Sequence, residues 1–204
     1  MDAHTHRSHS SPHIYVLSPH DLKGTQSPSP LFCAGVHPWH VASGDFAHVE
    51  RWARNKNCLA IGETGLDRLH PHWDLQLTSL RKHWELAEKL NKPLVVHVVR
   101  SASDVMQLLK QRRPTTPWLW HDFTGPMEAL PRLLKLHPDL YFSCGIRLLL
   151  RPNFAQMWAQ IPPERRLLET DDAAVSIHEV YKRAGVAEAE LKPNFSRLFP
   201  EHFV

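Results

Sequence analysis

Only three of the 204 residues are cysteine, and Cys33, Cys58 and Cys144 form no CxxC pair. That excludes a zinc ribbon and a disulfide framework, and it suits a reducing, cytoplasmic compartment. No apolar run approaches the roughly 18 residues that a membrane-spanning helix needs. The start of the chain has no basic segment leading into an apolar one, so neither a membrane anchor nor a secretory leader is expected. A long Lys/Arg block is missing too. The formal net charge of +3 gives no electrostatic footprint for a dedicated nucleic-acid-binding module. No GxxxxGK[ST] and no strand-linked GxGxxG occur, so no nucleotide cofactor is expected. Without GxSxG or an activated cysteine, a nucleophilic side chain is not expected either. No internal repeat is present.

The material that is present is that of an ordinary globular protein: 42% hydrophobic and 22% charged residues, read as a single domain over 1–204. Short apolar runs recur at Ile14–Leu17, Leu31–Val36, Cys58–Ile61, Leu94–Val96, Trp118–Trp120, Tyr141–Cys144 and Leu167–Leu168. With the opening MDAHTH they make eight candidate strands, the number that closes a TIM-type (β/α) barrel. Helical patterns lie between most of them. Leu77, Leu80, Trp84, Ala87 and Leu90 fall on one stripe ending before Pro93. Val105, Leu108 and Leu109 follow a capping-box-like Ser101 and Asp104, and Phe46, Val49 and Trp52 mark a third helix. In PMEALPRLLKLH, Pro131 is expected to kink a fourth. Strands alternating with helices give an α/β fold with a parallel sheet. The first third breaks the rhythm. RSHSSPH is too short for a crossover helix and SPHDLKGTQSPSP reads as a loop, so the barrel should be trimmed or distorted there. The apolar tail residues Leu198, Phe199 and Phe203 are expected to dock on the body.

Histidine is abundant, at 16 residues, and it is the commonest metal ligand. Position must separate ligands from bystanders. CAGVH ends in His37, LAIGE in Glu63, LVVH in His97, WLWH in His121 and LLETD in Asp171. In a barrel these strand ends converge on one rim, where active sites form. His4 and His6, at i and i+2 on a strand, point to one face, with Asp2 on that face too. The candidate ligand set is therefore His4, His6, Glu63, His97, His121 and Asp171. Its nitrogen and oxygen donors suit zinc, manganese or a similar divalent ion. Glu63 has two oxygens and could bridge two ions, an arrangement that activates water near neutral pH. Each residue alone has a plainer reading: a core histidine, an aromatic neighbour of Trp118 and Trp120, a turn, a helix N-cap. Six such coincidences at six strand ends are much harder to accept. His9, His13, His20, His48, His70, His72, His83, His137, His178 and His202 obey no strand-end rule and are read as surface or packing residues.

DAHTH, GVHPWH, AIGETGLD, LVVH, WLWHDFTG and LLETD stand in the order found in the TatD-like metal-dependent hydrolases, and the chain resembles that family over nearly its whole length. The likeness extends to NFSRLF near the end and is sharpest in GVHP and IGETGLD. The resemblance implies a metal-dependent hydrolase acting on phosphoester bonds, in several members those of DNA. It implies two divalent ions (Zn, Mn or Mg): His4 and His6 on one, His97 and His121 on the other, Glu63 bridging. Asp171 would complete the first site and serve the attacking water, so Asp171 and Glu63 are the catalytic candidates. His37 would face the scissile phosphate, and Asp67 would orient ligands from behind. The substrate implied is DNA or a small phosphoester. The alternative is hydrolysis of a C–N bond or small phosphoester without DNase activity. This sequence departs from the family in a shorter stretch before GVHP, in HVVR, which puts Arg100 one residue later than the usual His-x-Arg, and in Asp122 where Cys is common.

Overall fold

The computed structural model describes residues 1–8, 12–26 and 29–200. Eight parallel strands follow one another in chain order, each hydrogen-bonded to the next: β1 (Asp2–Thr5), β2 (His13–Val16), β3 (Phe32–Ala34), β4 (Cys58–Asp67), β5 (Leu94–Val99), β6 (Trp118–Trp120), β7 (Leu140–Cys144) and β8 (Arg166–Leu168). The last edge meets the first just beyond β8. The His6 amide donates to the Asp171 carbonyl and the Asp171 amide to the His4 carbonyl, both at 3.0 Å. Thr170 donates its amide (3.0 Å) and its hydroxyl (2.6 Å) to the Asp2 carboxylate. The result is a nearly closed TIM-like barrel, an α/β fold as the strand count implied.

The helices are α1 (Pro19–Lys23), α2 (Phe46–Ala53), α3 (Trp73–Leu90), α4 (Ala102–Gln111), α5 (Leu130–Leu136), α6 (Ile146–Leu149), α7 (Phe154–Gln160), α8 (Ile177–Ala184) and α9 (Glu188–Leu198). Alternation in the strands divides the core in two. One apolar set faces the helices, with Leu80, Trp84, Leu109, Trp118 and Phe142 among its largest members. The other fills the barrel from Ala3, Ile14, Val16, Cys33, Leu59, Val95, Leu119, Tyr141 and Leu167. Phe195, Leu198 and Phe199 from the end of α9 join this inner set. Asn194 donates to the Pro163 and Arg166 carbonyls at 2.7 and 3.0 Å, at the start of β8, so α9 plugs the end of the barrel opposite the strand C-termini. Among the described residues no helix is long and apolar enough to cross a membrane.

The first third is trimmed. No helix is assigned between β1 and β2 among the described residues, and α1 has five residues. SPHDLK is nevertheless helical rather than loop, because Ser18 and Asp21 form a reciprocal capping box there. Three other expectations need correction. Ser101 does not cap α4 with its side chain; its hydroxyl donates to the Leu66 carbonyl at 2.7 Å and ties α4 to β4. Pro131 does not kink a helix. It stands in the first turn of α5, after a 3₁₀ turn at Met127–Ala129, where its missing amide has no partner to lose. Finally, β4 does not end at Ile61 or Glu63 but runs on to Asp67. Both Glu63 and His97 therefore lie inside strands rather than at their ends. Gly65 permits this at close range, since it has φ +151° and any Cβ there would overlap the His97 backbone.

Candidate metal centre

Six of the eight strands deliver the chemical groups. His4 is in β1 and His6 one residue past it; Glu63 and Asp67 are in β4; His97 is in β5; His121 directly follows β6; Asp171 follows β8; His37 follows β3 and caps a 3₁₀ turn at Pro38–His40. The structure brings all of them to one mouth of the barrel, with Glu63 at the middle. Its Oε1 lies 2.7 Å from His121 Nε2, 2.9 Å from His97 Nδ1 and 3.2 Å from His37 Nε2. Its Oε2 lies 3.2 Å from Nε2 of both His4 and His6. Asp171 Oδ1 completes that side, 3.5 Å from His6 and 3.8 Å from His4. Asp2 does not join them: its carboxylate is occupied by Thr170.

The spacing of these atoms suits cations. Bonds of about 2.0–2.2 Å to a four- or six-coordinate ion put neighbouring donors roughly 3.0–3.5 Å apart. His4 Nε2 and Glu63 Oε2 are buried and neither makes a properly directed hydrogen bond. Buried polar atoms left in that state are costly unless something fills the gap between them. The groups His4–Glu63–His121, His4–His6–Asp171 and His37–Glu63–His97 each bring three donor atoms within 4.8 Å of one another. The donor set, imidazole and carboxylate, fits a borderline or hard divalent ion.

Five imidazoles around one carboxylate distort the titration of the site. Burial opposes charge on Glu63, yet His121, His4 and His37 together hold its carboxyl well below the usual range. Burial likewise works against a charged His121, but Glu63 and Glu169 hold it well above its ordinary value. His4 is pushed down by burial and by His121, whose ring stacks on it at 4.1 Å. Burial lowers His37 as well. At His6, Glu63 and Asp171 outweigh burial and raise it.

Supporting contacts orient the ring nitrogens. His97 sets Nε2 3.3 Å from Asp67 Oδ2 and Nδ1 2.9 Å from Glu63 Oε1, so a proton on Nε2 would donate to Asp67 and free Nδ1 as a ligand for an ion seated beside Glu63. Asp67 is itself held by the Trp39 indole N–H at 2.7 Å and the Leu69 amide at 2.8 Å. His37 Nδ1 accepts the Trp39 amide at 3.1 Å. That leaves the proton of neutral His37 on Nε2, 3.2 Å from Glu63 Oε1.

The sequence reading missed three participants. Glu169 is buried, accepts the Asp122 amide at 2.6 Å and lies 3.5 Å from His121 Nδ1. The same i, i+2 rule that paired His4 with His6 was available at Glu169 and Asp171. Arg147 on α6 reaches Asp122 (3.2 Å), Asp172 (3.4 Å) and Asp171 (3.7 Å), and nothing in its local sequence announces this. Burial and Glu169 push Asp122 up to about 6. The third is Trp39, inside GVHPWH. Arg100 lines a separate cavity of about 600 Å³ with Arg132 and Trp120, outside the cleft that holds the cluster. Of the histidines read as bystanders, His13, His83 and His137 are buried, and His70 stacks on Trp39 at 4.4 Å. His9, His202 and Phe203 lie outside the described residues. The cleft above Glu63 holds about 430 Å³ and is walled by His6, Leu22, Val36, Trp39, Arg147 and Asp171.

Comparison with known proteins places the chain in company. The sequence matches the profile of the TatD related DNases over residues 20–189. It is 30% identical over 155 residues to the uncharacterized metal-dependent hydrolase YcfH of Escherichia coli K12, covering 74% of this chain and 58% of that one. It is 36% identical over 150 residues to the 3'-5' ssDNA/RNA exonuclease TatD of Pantoea ananatis, covering 68% of this chain and 56% of that one. The chain thus spans less than three-fifths of the length of these relatives. The crystal structure of the TatD homologue YJJV from Escherichia coli superposes with a TM-score of 0.73 at 20% identity, covering 83% of this chain and 76% of that one, a likeness of fold.

Proposed function

This chain belongs to the TatD-related DNase family, and on that premise we propose that it is a two-ion phosphodiesterase acting on nucleic acid ends. The observation that carries the reading is the split of Glu63. One oxygen faces His4 and His6, the other His97 and His121, so a single carboxylate serves two ligand sets. His4, His6 and Asp171 would hold one divalent ion and His97 with His121 the second, with Zn, Mn and Mg all compatible with the donors. Such ions, when bound, supply Lewis-acid activation of water and screening of phosphate charge.

The chain's own residues do the rest. Asp171, 13% exposed, stands at the rim, where one oxygen can accept a proton from the attacking water while the backbone on either side is pinned to β1. With Glu63 engaged by the ions, His37 Nε2, now 3.2 Å from Glu63 Oε1, would donate its proton to a phosphate oxygen instead. Asp67 and Glu169 hold the rings of His97 and His121 against rotation. Arg147 neutralises the row of Asp122, Asp171 and Asp172 that would otherwise repel an anionic substrate. The Pantoea relative is named as an exonuclease of single-stranded DNA and RNA, and this supports a polynucleotide end as substrate.

The test is metal analysis beside hydrolysis of a single-stranded oligonucleotide, for the wild type and Asp171→Asn. We expect close to two ions per chain and metal-dependent cleavage that the variant loses by roughly 10²–10⁴-fold, the range for removal of a general base. Bound metal with no metal-dependent phosphodiesterase activity would overturn the reading.

A further inference from the structure

Trp39 is the large aromatic residue most out of keeping with its surroundings. It is 54% exposed, yet nothing about it is slack. Its amide donates to His37 Nδ1, its indole N–H to Asp67, and one side of its ring stacks on His70. Its ring also meets those of His37 at 4.9 Å and His97 at 6.3 Å, both in T-shaped contacts. An exposed indole locked in this way offers a flat apolar surface whose ordering cost has already been met. It lines the same cleft as Glu63, His97 and Asp171.

We propose that Trp39 is a stacking platform for the unpaired base attached to the scissile phosphate, which rests on the phosphodiesterase reading and sharpens its substrate class. A phosphate facing His37 Nε2 brings the sugar and base it carries over the neighbouring indole. Stacking on an aromatic side chain accepts any base, because every base has a π face. A base inside a duplex has both faces covered, so the platform selects single-stranded ends. The same side chain then couples binding to chemistry: it touches the base with its ring and steadies Asp67, and through it His97, with its N–H.

The two roles separate by substitution. Metal-loaded wild type, Trp39→Leu, Trp39→Phe and Leu69→Ser are assayed on a short single-stranded oligodeoxynucleotide and on the same strand with abasic terminal residues. Trp39→Leu should raise KM for the natural strand roughly tenfold and leave KM for the abasic strand unchanged. It should lower kcat on both, because Asp67 loses its indole donor. Trp39→Phe keeps a ring and should restore KM but not kcat. Leu69, 60% exposed nearby, serves as the control for a merely apolar rim. The platform is overturned if Trp39→Leu shifts KM equally on both strands or on neither, or if Leu69→Ser reproduces its effect. Should the wild type cleave neither strand, the phosphodiesterase reading fails. The platform is then judged by equilibrium binding of the same two strands, where equal affinity in the wild type overturns it.

Discussion

The two sides of Glu63 are built differently. On one side, His4, His6 and Asp171 sit on the seam where the barrel closes. His6 is 37% exposed, His4 Nδ1 has no hydrogen-bond partner, and Asp171 takes a left-handed backbone at φ +54°. On the other side, His97 is inside a strand and His121 directly follows one, each with a carboxylate behind its ring, Asp67 and Glu169. Polar partners of this kind fix ring orientation and raise ligand affinity. The seam side gets its geometry from backbone hydrogen bonds, the strand side from carboxylates set behind the rings. One ion of the proposed pair should therefore be held by the fold itself and the other by a supporting cast that can be edited without unfolding the protein.

The largest test of this contrast is Glu63→Gln. It removes the charge both sides share, so both ions and all activity should disappear together; retention of one ion would show that the sides are independent. Acid gives the next effect. His83 on α3 is fully buried beneath the segment that leads into His37, where its Nε2 accepts the Val36 amide at 2.9 Å and its Nδ1 donates to the Ser79 carbonyl at 2.7 Å. Burial pushes it down to about 4. The unfolded chain takes up this proton near 6.5 while the folded form refuses it until about 4. The associated stability is thus fully present above 6.5 and lost as pH falls toward 4, by about 3 kcal/mol at most. Urea denaturation across that window should show the slope, and His83→Gln should reduce it while His137, pushed down to about 4 by its own burial, retains a share. The smallest effect is Asp67→Asn, which leaves the seam intact and should weaken only the strand-side ion, by roughly 10–100-fold. Metal titration would then read one tight and one weak site, and two equally weakened sites would break the comparison.

Much of this arrangement was legible in the sequence, for a physical reason. Ionisable residues rarely follow apolar strands without cause, so the apolar runs both located the barrel strands and pointed at His97, His121 and Asp171. The illegible parts share a different cause. Gly62 and Gly65 look like turn punctuation around Glu63, whereas they let β4 continue past tightly packed neighbours, so the strand seemed to end too soon. Ser101 carried the local signature of a cap, but a nearby strand carbonyl competed successfully for its hydroxyl. Arg147 acts only through residues brought near by closure of the barrel, which no local pattern records. Glu169 was open to the alternation rule and was overlooked because Asp171 already satisfied the motif.

The seam has a consequence for how the molecule comes into being. Asp2 and Thr170, which pin it, are 168 positions apart, and His6 meets Asp171 across nearly the same span. Contacts so distant in sequence are the slowest to form, and a chain still being synthesised has no residue 171 to offer. Glu63, His97 and His121 can find one another much sooner. A growing or half-folded chain can therefore bring together at most the strand-side ligands, and on the proposed reading hydrolytic competence would arrive only with the last barrel strand. The proposed hydrolase would in effect be disarmed until its fold is complete.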